Sequence, residues 1–268
     1  MAAGWTANIA RAGRRVLAMA AALHAGGWPM AAAAQTAAAD AGAVAACAPR
    51  VAVRGRVVAA AGAELTLADG TLVVSPSLRF AAADGFRAAI GRTIAVRAGA
   101  PPDRWGRLSA AAMVAEDGTW LEALAIEDGR AIVAIRPGAS CAGALLAREA
   151  RARAAGLGLW ADPANRPVAA DDLGRLRRLE GRYAVVEGRI SAVGGRRGTV
   201  YVNFGRRWSE DFTVLVAARD RRAFARAGLD LERLVGRAVR VRGHLELRGG
   251  PAIAALAPDQ IELLEANR

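Results

Sequence analysis

The chain has 268 residues, enough for two modest domains, and 54% of them are apolar, a share carried by alanine more than by large core side chains. Its formal charge of +12 comes from 37 arginines and no lysine, which points toward anionic partners such as nucleic acid or a membrane surface, while only two cysteines and two histidines exclude a Cys/His metal cluster. An arginine-rich, alanine-rich, lysine-free composition is also what a GC-rich genome yields, so the net charge by itself assigns no partner.

The distribution of charge is more informative. Residues 1–34 hold three arginines and no acids, residues 35–164 hold 14 arginines against 12 acids, and residues 165–268 hold 20 against 13. The first stretch reads as an export signal: Arg11, Arg14 and Arg15 precede an apolar run from Val16 to Leu23, and Ala32 and Ala34 form an A-x-A cleavage pattern ahead of Gln35. The run is broken too early for a membrane span. A general secretory signal fits the flanking residues better than a twin-arginine one. The expected mature protein is periplasmic or secreted, with no stable membrane span once the signal is removed.

Residues 35–50 are alanine-rich with no strand or helix period and read as a flexible leader. Cys47 and Cys141 both fall in the mature part. An even number in an oxidising compartment favours a disulfide, with two unpaired thiols as the alternative. The bond would close a loop of 94 residues and contribute roughly 3–5 kcal/mol in the chain-entropy model.

From Val51 the pattern is of short alternating strands: Val51 to Val58, Glu64 to Leu67, Leu72 to Val74 and Thr93 to Val96, with Asp69-Gly70 as a hairpin turn. A second hairpin at Asp103 to Gly106 leads into a strand from Leu108 to Val114. Asp117-Gly118 then turns the chain into a helix from Thr119 to Glu127, ended by Gly129. A strand from Ala131 to Ile135 follows. Ser140 is placed to cap a longer helix through Ala155, which Gly156 or Gly158 stops. Asp162 to Asp172, with two prolines and no period, marks a boundary between residues 51–164 and 165–268. Beyond it, Tyr183 to Val193, Thr199 to Phe204, Phe212 to Val216, Val239 to Leu247 and Ala252 to Ile261 read as five strands, with a helix from Asp220 to Gly228 between the third and fourth. That order is the one a five-stranded OB barrel shows.

The string Asp103-Arg104-Trp105-Gly106-Arg107, followed by a strand, an Asp-Gly turn and Trp120-Leu121, resembles the staphylococcal nuclease (thermonuclease) family. Leu145 to Arg153 and the later Gly158-Leu159-Trp160 resemble that family's closing helix and its end. The resemblance covers residues 51–164 and is strongest over 103–163. It implies an OB-like barrel with helices, followed here by the second five-stranded OB-like barrel: mainly β, with α.

The resemblance also implies calcium-assisted phosphodiester hydrolysis, in which carboxylates hold Ca²⁺, a Glu serves the attacking water and two arginines stabilise the transition state. The family's Asp-Gly-Asp-Thr string falls on Ala61, Gly62, Ala63 and Glu64, so both aspartates are missing. Its first arginine falls on Val74, its later metal-binding aspartate on Arg79 and its catalytic glutamate on Ala82; only Arg107 matches. A guanidinium offers a hard cation no oxygen ligand. No metal or other cofactor is expected unless Glu64 and Asp84 form a rearranged site, and Arg107 reads equally as a structural partner of Asp103.

In an OB barrel, ligands lie across the second and third strands and the neighbouring loops. Arg196 and Arg197 fall in the first hairpin loop, Tyr201 and Asn203 share one face of the second strand, and Arg206, Arg207 and Trp208 fill the next loop. Thr199 to Gly205, with Trp208 and Asp211 to Thr213, resembles a segment that accompanies nuclease-like domains in exported bacterial proteins. His244 reads as a structural or surface residue. No Ser-His-Asp set, glycine-rich phosphate loop or metal-ligand cluster supports another enzyme class. The leading expectation is an exported, non-hydrolytic protein that binds a polyanion such as nucleic acid. An active calcium-dependent phosphodiesterase with displaced ligands and an envelope protein-interaction module stand beside it.

Overall fold

The computed structural model describes residues 39–98, 100–137, 139–207 and 209–264. The expected export signal, residues 1–34, lies outside the described residues. Within the expected leader, residues 39–47 are helical, not irregular, and are labelled α1. Alanine is the strongest helix former, and Asp40, Ala43, Val44, Cys47 and Ala48 recur at the spacing that puts them on one inward face. Val44 is fully buried, Asp40 pairs with Arg148 at 2.5 Å, and Cys47 is bonded to Cys141 across a Cα separation of 5.1 Å. The expected disulfide is therefore present, and it fastens the end of α1 to the first body of the chain.

That body begins with β1 (Val51–Ala61), β2 (Glu64–Leu67), β3 (Leu72–Val74), β4 (Leu78–Phe80), β5 (Thr93–Ala98) and β6 (Arg107–Ala115). Five of these strands close into a barrel in the order β1-β2-β3-β6-β5, with β3 and β6 parallel and the other neighbours antiparallel. Closure depends on β1, whose register slips between Val57 and Ala59, so that its first half pairs with β5 and its second half with β2. The Asp69-Gly70 turn forms as its residue types require: Asp69 accepts the Thr71 N–H at 2.9 Å and Gly70 has φ +86°. Val57, Leu65, Val73, Ile94, Val96 and Leu108 fill the interior.

Two helices pack on the barrel, α2 (Leu121–Glu127) and α3 (Ala142–Ala154), with β7 (Ala131–Val133) between them pairing with β4 outside the ring. The expected cap at Ser140 is not used. Cys141 occupies the N-cap position of α3 without a side-chain capping bond, and its disulfide holds that end instead. Gly129 ends α2 with φ +64°, and a Cβ there would lie 2.1 Å from the Leu157 carbonyl oxygen, so backbone geometry and close approach both demand glycine.

The second body contains β8 (Val168–Ala169), α4 (Leu173–Arg178), β9 (Tyr183–Arg189), β10 (Ala192–Arg196), β11 (Thr199–Asn203), β12 (Thr213–Ala217), α5 (Arg221–Arg226), β13 (Ala238–Arg248), β14 (Gly250–Ala254) and β15 (Ile261–Leu263). It is an eight-stranded sheet, not the five strands read from the sequence. The expected strand from Tyr183 to Val193 is bent into β9 and β10 at Ile190 and Ser191, whose N–H groups bond to Arg237 and Asn203 carbonyls off the ladder. Likewise the expected strand from Ala252 to Ile261 is interrupted by a turn beginning at Pro258, and β15 pairs back on β13. The path β10-β11-β12-β14-β13-β9 starts and ends on adjacent chain segments, with β12 and β14 parallel. Counting β9 and β10 as one bent strand, this is the strand order of the first barrel.

A buried ionic network joins the two bodies. Arg242 of β13 is fully buried; its guanidinium donates to both carboxylate oxygens of Glu149 on α3 at 3.0 Å, to Glu262 and to the Val133 carbonyl. Burial opposes the Arg242 charge, yet Glu149 and then Glu262 outweigh it and raise its pKa. Glu149 also accepts the Val133 N–H at 2.6 Å, and the Ile135 N–H donates to the Tyr183 hydroxyl of β9 at 2.9 Å. Among the described residues no helix is long and apolar enough to cross a membrane.

Candidate nucleic-acid interface

In the first body, the loop from β5 to β6 ends in a tight turn organised by Asp103. One carboxylate oxygen accepts the N–H groups of Trp105 and Arg107 at 2.9 and 3.0 Å, and the other takes the Arg107 guanidinium at 2.9 Å. Desolvation opposes the charge on Asp103, but those backbone donors and the guanidinium more than offset it and lower its pKa. Arg107 is thus already paired, in the partnership the sequence reading held open. The turn presents Trp105, whose indole is 61% exposed, with the guanidinium carbons of Arg104 and Arg107 3.9 and 4.9 Å from its ring centroid.

The positions that align with the family's metal and water-activating residues lie at the β1–β2 turn and on the segment 79–86. These are tied together: the Gly62 N–H donates to Ala83, and its carbonyl accepts the Phe86 N–H. Ala61, Ala63 and Ala82 supply no side-chain oxygen there; Glu64 and Asp84 are the carboxylates in these two segments. The described residues include no group of three or more His, Cys, Asp or Glu side chains disposed to hold a metal ion. A calcium ion takes six to eight oxygen ligands, so this part of the chain does not fit one.

In the second body the predicted residues do not form one patch. Arg196 and Arg197 sit in the β10–β11 turn, and Arg206 and Arg207 follow the other end of β11, so a five-residue strand, on the order of 15 Å, separates the pairs. All four are exposed. Arg207 is partly neutralised by Glu210 at 3.4 Å. Between them Tyr201 lines a groove of about 290 Å³ with Asp211, Thr213, Leu215, Arg248 and Pro251. Asn203 is occupied, accepting the Thr213 hydroxyl at 3.1 Å. Trp208 lies outside the described residues. Val200 and Val202 are buried on the opposite face, as the period of two requires, and Phe204 is partly buried. Arg197 is the one non-glycine residue with positive φ among those described, at +48°, a conformation that costs an arginine about 1 kcal/mol or more.

Two features were not picked out as site residues from the sequence. One is Trp105, whose exposure in a turn between two arginines was a usable signal. The other is Glu122 on α2, completely buried, which accepts the Met113 N–H at 2.9 Å and whose burial pushes its pKa up to about 7. Ser75 and Trp120 lie beside it and lower that pKa, though neither side chain makes a well-formed hydrogen bond to it. The sequence around Glu122 reads as an ordinary helix, and nothing in it marks the burial. No protein-family model matches the chain, and no curated protein shows significant similarity to it.

Proposed function

We propose that this chain is an exported, periplasmic or secreted, non-hydrolytic protein of two OB-type barrels, the first similar to the staphylococcal nuclease domain, and that it binds single-stranded nucleic acid. Bound strands in OB barrels are held by the loops joining the first strand to the second and the fourth to the fifth. In this chain those loops carry Arg196 and Arg197 in the second body and Arg104, Trp105 and Arg107 in the first. The observation that carries the reading is the exposed Trp105 ring beside two guanidiniums. Such a ring stacks on any base while its flanking cations meet the phosphates, which is how sequence-tolerant single-strand binding works. The alanines at the metal-aligned positions support the absence of hydrolysis, and the Cys47–Cys141 bond supports export to an oxidising compartment.

Trp105→Ala tests this. It is expected to weaken single-stranded DNA binding by about 1–3 kcal/mol, the contribution of one stacked base, with no change in stability because the ring is exposed. Unaltered affinity would remove the observation on which the reading stands.

A further inference from the structure

The cleft where the two bodies meet holds a second cationic feature, apart from the loops above. It encloses about 500 Å³, a volume suited to a small organic molecule, and Arg79, Arg136, Tyr183, His244 and Gln260 line it. Arg79 projects from β4 toward β9, its guanidinium carbon 5.8 Å from the centroid of the Tyr183 ring. It is half-buried, and its one protein hydrogen bond among the described residues goes to the adjacent Leu78 carbonyl at 3.1 Å. No ion pair among the described residues includes Arg79 or Arg136. Burial, and then repulsion from Arg136, lowers the Arg79 pKa, so the half-buried Arg79 and the exposed Arg136 are two like charges lining one cleft, neither in an ion pair among the described residues. The acid on this wall, Glu246, is engaged by Arg248 at 2.8 Å.

The rest of the cleft is rigid. Gln260 is buried, donates to the Arg242 carbonyl and accepts the N–H groups of Leu256 and Ala257. The His244 and Tyr183 rings meet edge to face at 5.4 Å. The buried Arg242–Glu149 pair fixes the separation of the two walls. Two guanidiniums that line one pocket with no ion-pair partner among the described residues suit an oxyanion, which accepts from both and offsets their repulsion.

From this geometry we infer that the cleft between the two bodies is a binding site for the phosphate or carboxylate group of a small organic ligand, held between Arg79 and Arg136 and distinct from the nucleic-acid loops. The test is calorimetric titration of the mature protein at low salt with inorganic phosphate and, separately, with acetate. Saturable binding of one of these at one per chain is expected, and which one binds identifies the oxyanion. Arg136→Ala, an exposed position that leaves folding intact, and Arg79→Ala are each expected to weaken it about tenfold or more. Arg226→Ala on α5 leaves it unchanged. Both cleft variants retain single-stranded DNA binding, which separates failure of this inference from failure of the nucleic-acid reading. The inference is overturned by no saturable binding of either ion, by undiminished binding in Arg136→Ala, or by loss of DNA binding in parallel.

Discussion

The two bodies thread their strands in the same order, and the first closes into a barrel through its bent first strand, yet they use charge in different ways. In the first, 14 arginines nearly balance 12 acids, and several are spent internally: Arg148 holds Asp40 and Glu127, Arg107 holds Asp103, and Arg153 holds Glu149. In the second, 20 arginines exceed 13 acids, and exposed arginines are spread over the surface, four of them at the ends of β11. A shared strand path thus fixes where loops are offered, while the side chains on those loops decide what they meet. Under the proposed reading, the first body would keep a nuclease-like frame without the carboxylates of the chemistry, and the second would offer the cations for a polyanion.

The largest expected effect lies where the bodies join. Arg242→Ala removes the bidentate partner of the buried Glu149, leaving it only Arg153 and the Val133 N–H, and is expected to cost about 3 kcal/mol, read as a lowered midpoint in denaturant for both bodies. If one body kept its midpoint, the network would not couple them. Next, reduction or the Cys47→Ser, Cys141→Ser pair is expected to cost about 2–4 kcal/mol, with loss of α1 protection in hydrogen exchange while β13 keeps its own.

Glu122 sharpens the comparison, because its buried carboxyl lies in the first body. The unfolded chain ionises it near the ordinary glutamate value of 4.5, whereas the folded protein keeps it protonated to about 7. Its contribution to stability is therefore fully present below about pH 4.5, is lost as pH rises through about 7, and changes no further above that. The loss is on the order of 3 kcal/mol. Glu122→Gln, which retains the acceptor for Met113, should flatten the pH dependence of thermal stability over that window; an unchanged profile would show that Glu122 is not the titrating group. The smallest effect concerns Arg197. Arg197→Gly relieves the left-handed backbone and is expected to stabilise the second body by under about 1 kcal/mol while lowering DNA affinity and its salt slope by about one charge. Stabilisation without loss of binding would make this arginine a bystander.

Much of this was legible in the sequence for a physical reason. Alternation of apolar residues and an Asp-Gly pair locate the strands and turns of the first barrel, and two cysteines behind a stretch that reads as an export signal point to their bond. What stayed hidden falls into three kinds. The helix α1 was concealed because alanine satisfies a helix without contrast between faces. The strands β4, β8 and β15 have two or three residues each, too few to display a period. The ionic network depends on Arg242 meeting Glu149 across 93 residues, a contact that only the packing of the two bodies creates. Of the predicted interface, Tyr201 and the four arginines are where the strand register puts them, but the length of β11 splits the arginines into two pairs.

The central claim, binding without hydrolysis, is tested most directly by incubating labelled single- and double-stranded DNA and RNA with the mature protein in Ca²⁺ or in chelator, and resolving both cleavage and complex formation. The account predicts shifted, uncut single strands in both conditions, with binding that weakens steeply as salt is raised. Calcium-dependent cleavage that disappears in Arg107→Ala would contradict it.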